Sequence, residues 1–131
     1  MKKLAIVSSM LFLSGCFGGG ETEAKIALGK SVFDKNCVSC HGKAAVGLTK
    51  DWKQPLANGK YPAPPLNGSA HAWHHSPKLL LSTINNGGAK LGGWMPPFKD
   101  KLSEEEKQAT LAYLRDLWPA DIQKKYNARF K

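Results

Sequence analysis

The chain has 131 residues, 42% of them apolar, which is one domain's worth with enough hydrophobic material for a small core. That balance excludes an intrinsically disordered chain. Nineteen Lys and Arg against ten Asp and Glu give a formal charge of +9, but the lysines are scattered and no nucleic-acid-binding motif accompanies them, so nucleic acid is excluded as a partner.

The first fifteen residues form a leader. Lys2 and Lys3 make a short positive region, and Leu4 to Leu13 is an apolar run interrupted by Ser8 and Ser9. A bilayer span needs about 20 apolar residues, so this run is a secretory signal and not part of the fold. Leu13-Ser14-Gly15-Cys16 resembles a bacterial lipobox, in which the cysteine is diacylated and becomes the mature N-terminus. Each buried methylene of such an anchor adds about 0.8 kcal/mol. The resemblance implies a membrane-anchored lipoprotein facing the periplasm. Phe17 stands where Asp would resemble an inner-membrane retention signal, which favours the outer membrane. Residues 16–23 are then the lipidated cysteine and a Gly-rich tether, and 24–131 the folded domain.

Without Lys2 and Lys3 the remaining chain has 17 basic and 10 acidic residues, a net charge of +7. A basic surface suits acidic docking faces or anionic surfaces, and it also serves plain solubility.

A first helix is expected from about Glu23 to Lys35, with Ile26, Leu28, Val32 and Phe33 inward. Cys37-Val38-Ser39-Cys40-His41 follows. From this composition Cys-x-x-Cys-His arises by chance roughly once in five hundred such sequences. Two thiols three residues apart can add to the two vinyl groups of one haem, and the adjacent His is then forced beneath the iron. A thioredoxin-like pair would need a βαβ context, and none is visible. A zinc site would need two further ligands at motif spacing, and the nearest histidines are 30 residues away.

From Ala24 to about Trp118 the chain resembles class I cytochrome c. Gly29-Lys30-Ser31-Val32-Phe33, leading into Cys37 to His41, carries the first part of the likeness. In that family the glycine lets the first helix cross the last one closely, and Tyr113 should be its aromatic partner here. The resemblance implies an all-α fold of three to five helices wrapped around one covalent haem c. Two ionised propionates would bring the mature charge to about +5.

Residues 42–76 are rich in Gly, Pro and Asn, a long stretch without structure for a compact domain. A haem accounts for it, because the chain can pack on the macrocycle. Pro64-Pro65-Leu66-Asn67-Gly68 resembles the family's proximal loop, where a Pro carbonyl accepts the hydrogen bond of the ligand His. Pro64 is the candidate for that supporting role, and a plain turn is the alternative.

His71-Ala72-Trp73-His74-His75 follows. On a helix His71 and His75 would share a face, as a metal pair would; packing near the haem is the other reading. Ser76-Pro77 reads as cap and first position of a helix through Leu79, Leu80 and Ile84, stopped at Asn86-Gly87.

Met95 is the only thioether left once the leader is removed, and it sits in Gly92-Gly93-Trp94-Met95-Pro96-Pro97-Phe98. Glycines and prolines on both sides suggest a loop of fixed shape. It resembles the Met-Pro loop that supplies the sixth iron ligand in class I cytochromes. A soft sulfur ligand favours Fe(II) and raises the potential. Met95 as a core filler, or His71, His74 or His75 as ligand in its place, are the alternatives.

Ser103 with Glu104, Glu105 and Glu106 starts a C-terminal helix with a capping box; Leu111, Leu114 and Leu117 form its inner stripe. Beyond Pro119 a helical extension is expected, with Trp118, Ile122, Tyr126 and Phe130 spaced by four. The expected function is one-electron transfer between protein partners, with no small-molecule substrate and no catalysis. The alternative is a haem enzyme or a gas- or peroxide-responsive sensor with a displaceable sixth ligand. No acid or base stands out in 87–98 to serve one.

Overall fold

The structure is a computed structural model that describes residues 21–131. The leader, Cys16 and most of the expected tether lie outside the described residues. Five α-helices form the domain: α1 Glu23–Asn36, the single turn α2 Val38–His41, α3 Pro77–Asn86, α4 Glu104–Asp116 and α5 Ala120–Arg129. Among the described residues there is no strand. This is the all-α architecture expected from the sequence. No described helix is long and apolar enough to cross a membrane.

The end of the expected tether already belongs to the fold, and its boundary moves accordingly. Thr22 caps α1 by accepting the Lys25 N–H (3.3 Å), and Glu21 pairs with Arg115 of α4 (3.0 Å) and with Lys25 (2.9 Å). A cap and two cations hold residues that composition alone marks as linker.

The framework is the crossing of α1 and α4. A Cβ on Gly29 would sit 1.9 Å from the Ala109 carbonyl oxygen and 2.9 Å from Tyr113 Cβ. The absent side chain is therefore what lets the two backbones touch. Phe33, fully buried, meets the Tyr113 ring at 5.5 Å. Ala45, Tyr113 and Leu114 complete that core, and Val32, Phe98 and Leu102 form a second.

α4 starts as expected. Ser103 Oγ accepts the Glu106 N–H (3.1 Å), and Glu106 accepts the Ser103 N–H in return (2.8 Å). Leu111 and Leu114 are buried, whereas Leu117 is half-buried. α5 forms beyond Pro119 and turns Tyr126 inward, against Trp118 (4.8 Å) and Phe130 (4.8 Å).

α3 behaves differently. Ser76 caps it by accepting the Leu79 N–H (3.2 Å), Pro77 opens it and Gly87 at φ +74 ends it. Yet none of its residues is buried. Its apolar side borders a cavity at Leu80 and Ile84, and Ile84 also packs against the core of Val32, Phe98 and Leu102.

Candidate haem site

The expected haem-site residues lie on three separate stretches of chain. The fold brings Cys37, Cys40, His41, Pro64 and Met95 to the wall of one cavity of about 400 Å³. That volume falls in the range of about 300–1,000 Å³ usual for cofactor sites. Leu66, Leu80, Ile84, Phe98, Leu111 and Trp118 make most of the wall apolar.

Cys37 to His41 form one helical turn, closed by the His41 N–H donating to the Cys37 carbonyl (2.9 Å). Cys37 and Cys40 form no disulfide. Burial pushes the Cys37 thiol up to about 11, with Cys40 adding to the shift. The turn ends at Gly42, with φ +73, where a Cβ would stand 2.4 Å from the Gly47 oxygen.

His41 is 8% exposed, and its Nδ1 donates to the Pro64 carbonyl at 3.2 Å. That bond fixes the ring and leaves Nε2 as the nitrogen with a free lone pair. Burial pulls the His41 pKa below its ordinary value, while the Pro64 bond opposes the shift. The Pro64 loop is itself held from below. The Leu66 N–H donates to Ala45 O (2.8 Å), and Trp118 Nε1 donates to Leu66 O (2.8 Å). Ala44 and Ala45 take φ of +52 and +57 to make this possible. Left-handed backbone costs a non-glycine residue about 1–2 kcal/mol, which the full burial of Ala45 in the core helps to offset.

Met95 is half-buried on the same cavity, packed beside Phe98 and Ile84. Its loop is seated on the end of α3. The Gly88 N–H donates to Met95 O (2.9 Å), and a Cβ on Gly87 would lie 2.4 Å from that same oxygen. Next to it, Trp94 Nε1 donates to Tyr61 O (2.7 Å), joining the methionine loop to the long loop.

The histidine cluster is not the helical pair envisaged. Only Ala72–His74 makes a 3₁₀ turn, and His75 is extended at φ −97 and ψ 142. The His71 and His75 rings meet edge-on at 5.3 Å, and both residues reach the cavity wall. His74 is exposed and lies against Trp73. Among the described residues no group of three or more His, Cys, Asp or Glu is placed to hold a metal ion.

Sequence reasoning missed three supports. Gly87 reads as a helix stop, but it is also the seat of the Met95 loop. Trp94 ties two loops together. Trp118 reads as the first residue of the stripe of the C-terminal extension, yet it lines the cavity and holds the proximal loop. The one available signal was that a buried indole N–H needs an acceptor.

Residues 24–114 match the family described as cytochrome C oxidase, cbb3-type, subunit III. The chain belongs to this family of c-type cytochromes. Cytochrome c6 of Synechocystis sp. is 32% identical over 113 residues, covering 82% of this chain and 79% of its own length. The cbb3-type cytochrome c oxidase subunit FixP of Sinorhizobium medicae is 35% identical over 104 residues, 75% of this chain. CcoP of Rhodobacter capsulatus is 33% identical over 102 residues. This chain spans about a third of the length of those two subunits, 32% and 30%. No solved structure gives a significant match. The chain is thus a monohaem class I cytochrome with covalently bound haem c. The cavity fits that group: its wall is mostly apolar, Cys37 and Cys40 stand one helical turn apart on it, and His41 and Met95 reach it as well.

Proposed function

We propose that this cytochrome is a one-electron carrier between redox proteins, tethered by lipid on Cys16 to a membrane, with the outer membrane favoured and the domain facing the periplasm. Cys37 and Cys40 form the two thioether links. His41 and Met95 would hold the iron, with Pro64 orienting His41. The observation that carries this reading is the convergence of those residues on one apolar cavity.

When bound, haem c supplies an iron that cycles between Fe(III) and Fe(II). The protein's part is positional. His41 is held in one tautomer by Pro64, so it presents the same nitrogen in both oxidation states. Met95 offers a soft sulfur that favours Fe(II) and closes the sixth position to small molecules. The apolar walls keep water out, which limits the rearrangement an electron must wait for. Acidic docking faces on the partners suit the excess of Lys and Arg.

A potentiometric titration of the purified holoprotein tests the reading. One reversible wave is expected, with a Nernst slope of about 59 mV per decade for one electron. The ferrous protein should take up carbon monoxide only slowly. Rapid carbon monoxide binding by the unaltered protein would instead favour an open-iron enzyme or sensor.

A further inference from the structure

We propose that the exposed cations of α5 and the residue after it rest on an anionic phospholipid surface. The membrane is the one to which Cys16 tethers the domain, so the inference depends on the lipid-anchor reading above. The family match ends at residue 114, so the common domain does not account for this helix.

Two observations combine here. The first is the place where the chain enters the fold. Arg115 holds Glu21 at 3.0 Å with one guanidinium nitrogen and Asn127 of α5 at 2.7 Å with another. The same guanidinium lies over the Tyr126 ring at 5.3 Å. One side chain thus fixes the entry point beside α5. Cys16 precedes Glu21 by five residues, and a chain fully extended gains at most about 3.6 Å per residue. The anchor is therefore within roughly 18 Å of Glu21 whatever path the chain takes.

The second observation is the charge on that helix. Tyr126 faces inward, and Ile122 and Phe130 share its side of the helix. Lys124, Lys125, Arg129 and Lys131 are exposed. The acidic groups nearby are Glu21, held by Arg115, Asp116, at the end of α4, and Asp121, which pairs with Lys125 at 3.2 Å. A basic helix alone is a solvated face. A tether this short lets it approach the bilayer to within the surface potential of anionic lipid, which falls off over about 10 Å at ordinary ionic strength.

The test uses the full-length, lipid-modified holoprotein in vesicles of phosphatidylcholine alone and of phosphatidylcholine with an equal amount of phosphatidylglycerol. Acetylation of Lys124 and Lys125 is followed by mass spectrometry. In the anionic vesicles both should react more slowly, by about fivefold, the factor that one basic residue's attraction to such a surface confers. High salt, or the K124E/R129E variant read at Lys125, should remove the difference. The mass of the N-terminal peptide reports acylation of Cys16 separately. Acylated protein whose Lys124 and Lys125 react equally in both vesicles overturns the docking face and leaves the anchor standing. An unacylated Cys16 overturns the anchor and this inference together.

Discussion

Replacing Met95 with Ala is expected to lower the midpoint potential by on the order of 0.1–0.2 V, part of the span of about 0.8 V that axial ligands can command. Met95 is the only methionine outside the leader, so no other thioether can take its place. Its loop is fixed at two points, by Gly88 below and by the Trp94–Tyr61 bond beside it, so a truncated side chain leaves a gap that the backbone does not close. The variant should lose the weak near-infrared charge-transfer band of sulfur-ligated ferric haem, and its ferrous form should bind carbon monoxide readily. His71 and His75 also reach the cavity wall and are the rival ligands. If the variant keeps the parent's spectrum and potential while a His71→Ala or His75→Ala variant does not, the methionine assignment fails.

A second large effect is expected at the helix crossing. Gly29→Ala gains up to about 1 kcal/mol of helix propensity. Against that, its Cβ would lie 1.9 Å from the Ala109 oxygen and 2.4 Å from the Ala109 carbonyl carbon. Both are backbone atoms, so α1 and α4 must separate, and Phe33 must withdraw from Tyr113. Overpacking of this kind costs about 1–3 kcal/mol and sometimes more. The net loss should be about 1–2 kcal/mol, which lowers Tm by roughly 5–10 °C in a domain of this size. Thermal unfolding of the holoprotein followed by circular dichroism reads it directly. An unchanged Tm would mean that the crossing relaxes more freely than its geometry implies.

Much of this fold was legible because its signals are local. The Ser103 capping box, the Ser76-Pro77 start and the Gly87 stop each sit within one or two turns of what they control. The placement of Cys37, Cys40 and His41 followed from their spacing, and that of Met95 from its being alone. What was hidden is long-range. The Trp94–Tyr61 bond spans 33 residues and the Trp118–Leu66 bond 52, and nothing in the local pattern selects either partner. The left-handed backbone of Ala44 and Ala45 was equally invisible, since alanine advertises no such preference. The part played by Glu21 depends on Arg115, 94 residues further on. The histidines misled for a related reason. Spacing alone suggested a helix face, but the chain there packs on the cavity wall, and tertiary demands decided its backbone.

The most direct measurement is on a single peptide. Tryptic digestion of the denatured, acid-acetone-extracted holoprotein should release the segment from Asn36 to Lys43, which contains both thiols and His41. The account predicts that this peptide is coloured and heavier than its sequence by one haem, with neither Cys37 nor Cys40 open to thiol reagents. A colourless peptide bearing two free thiols, with the haem recovered in the acetone, would contradict it.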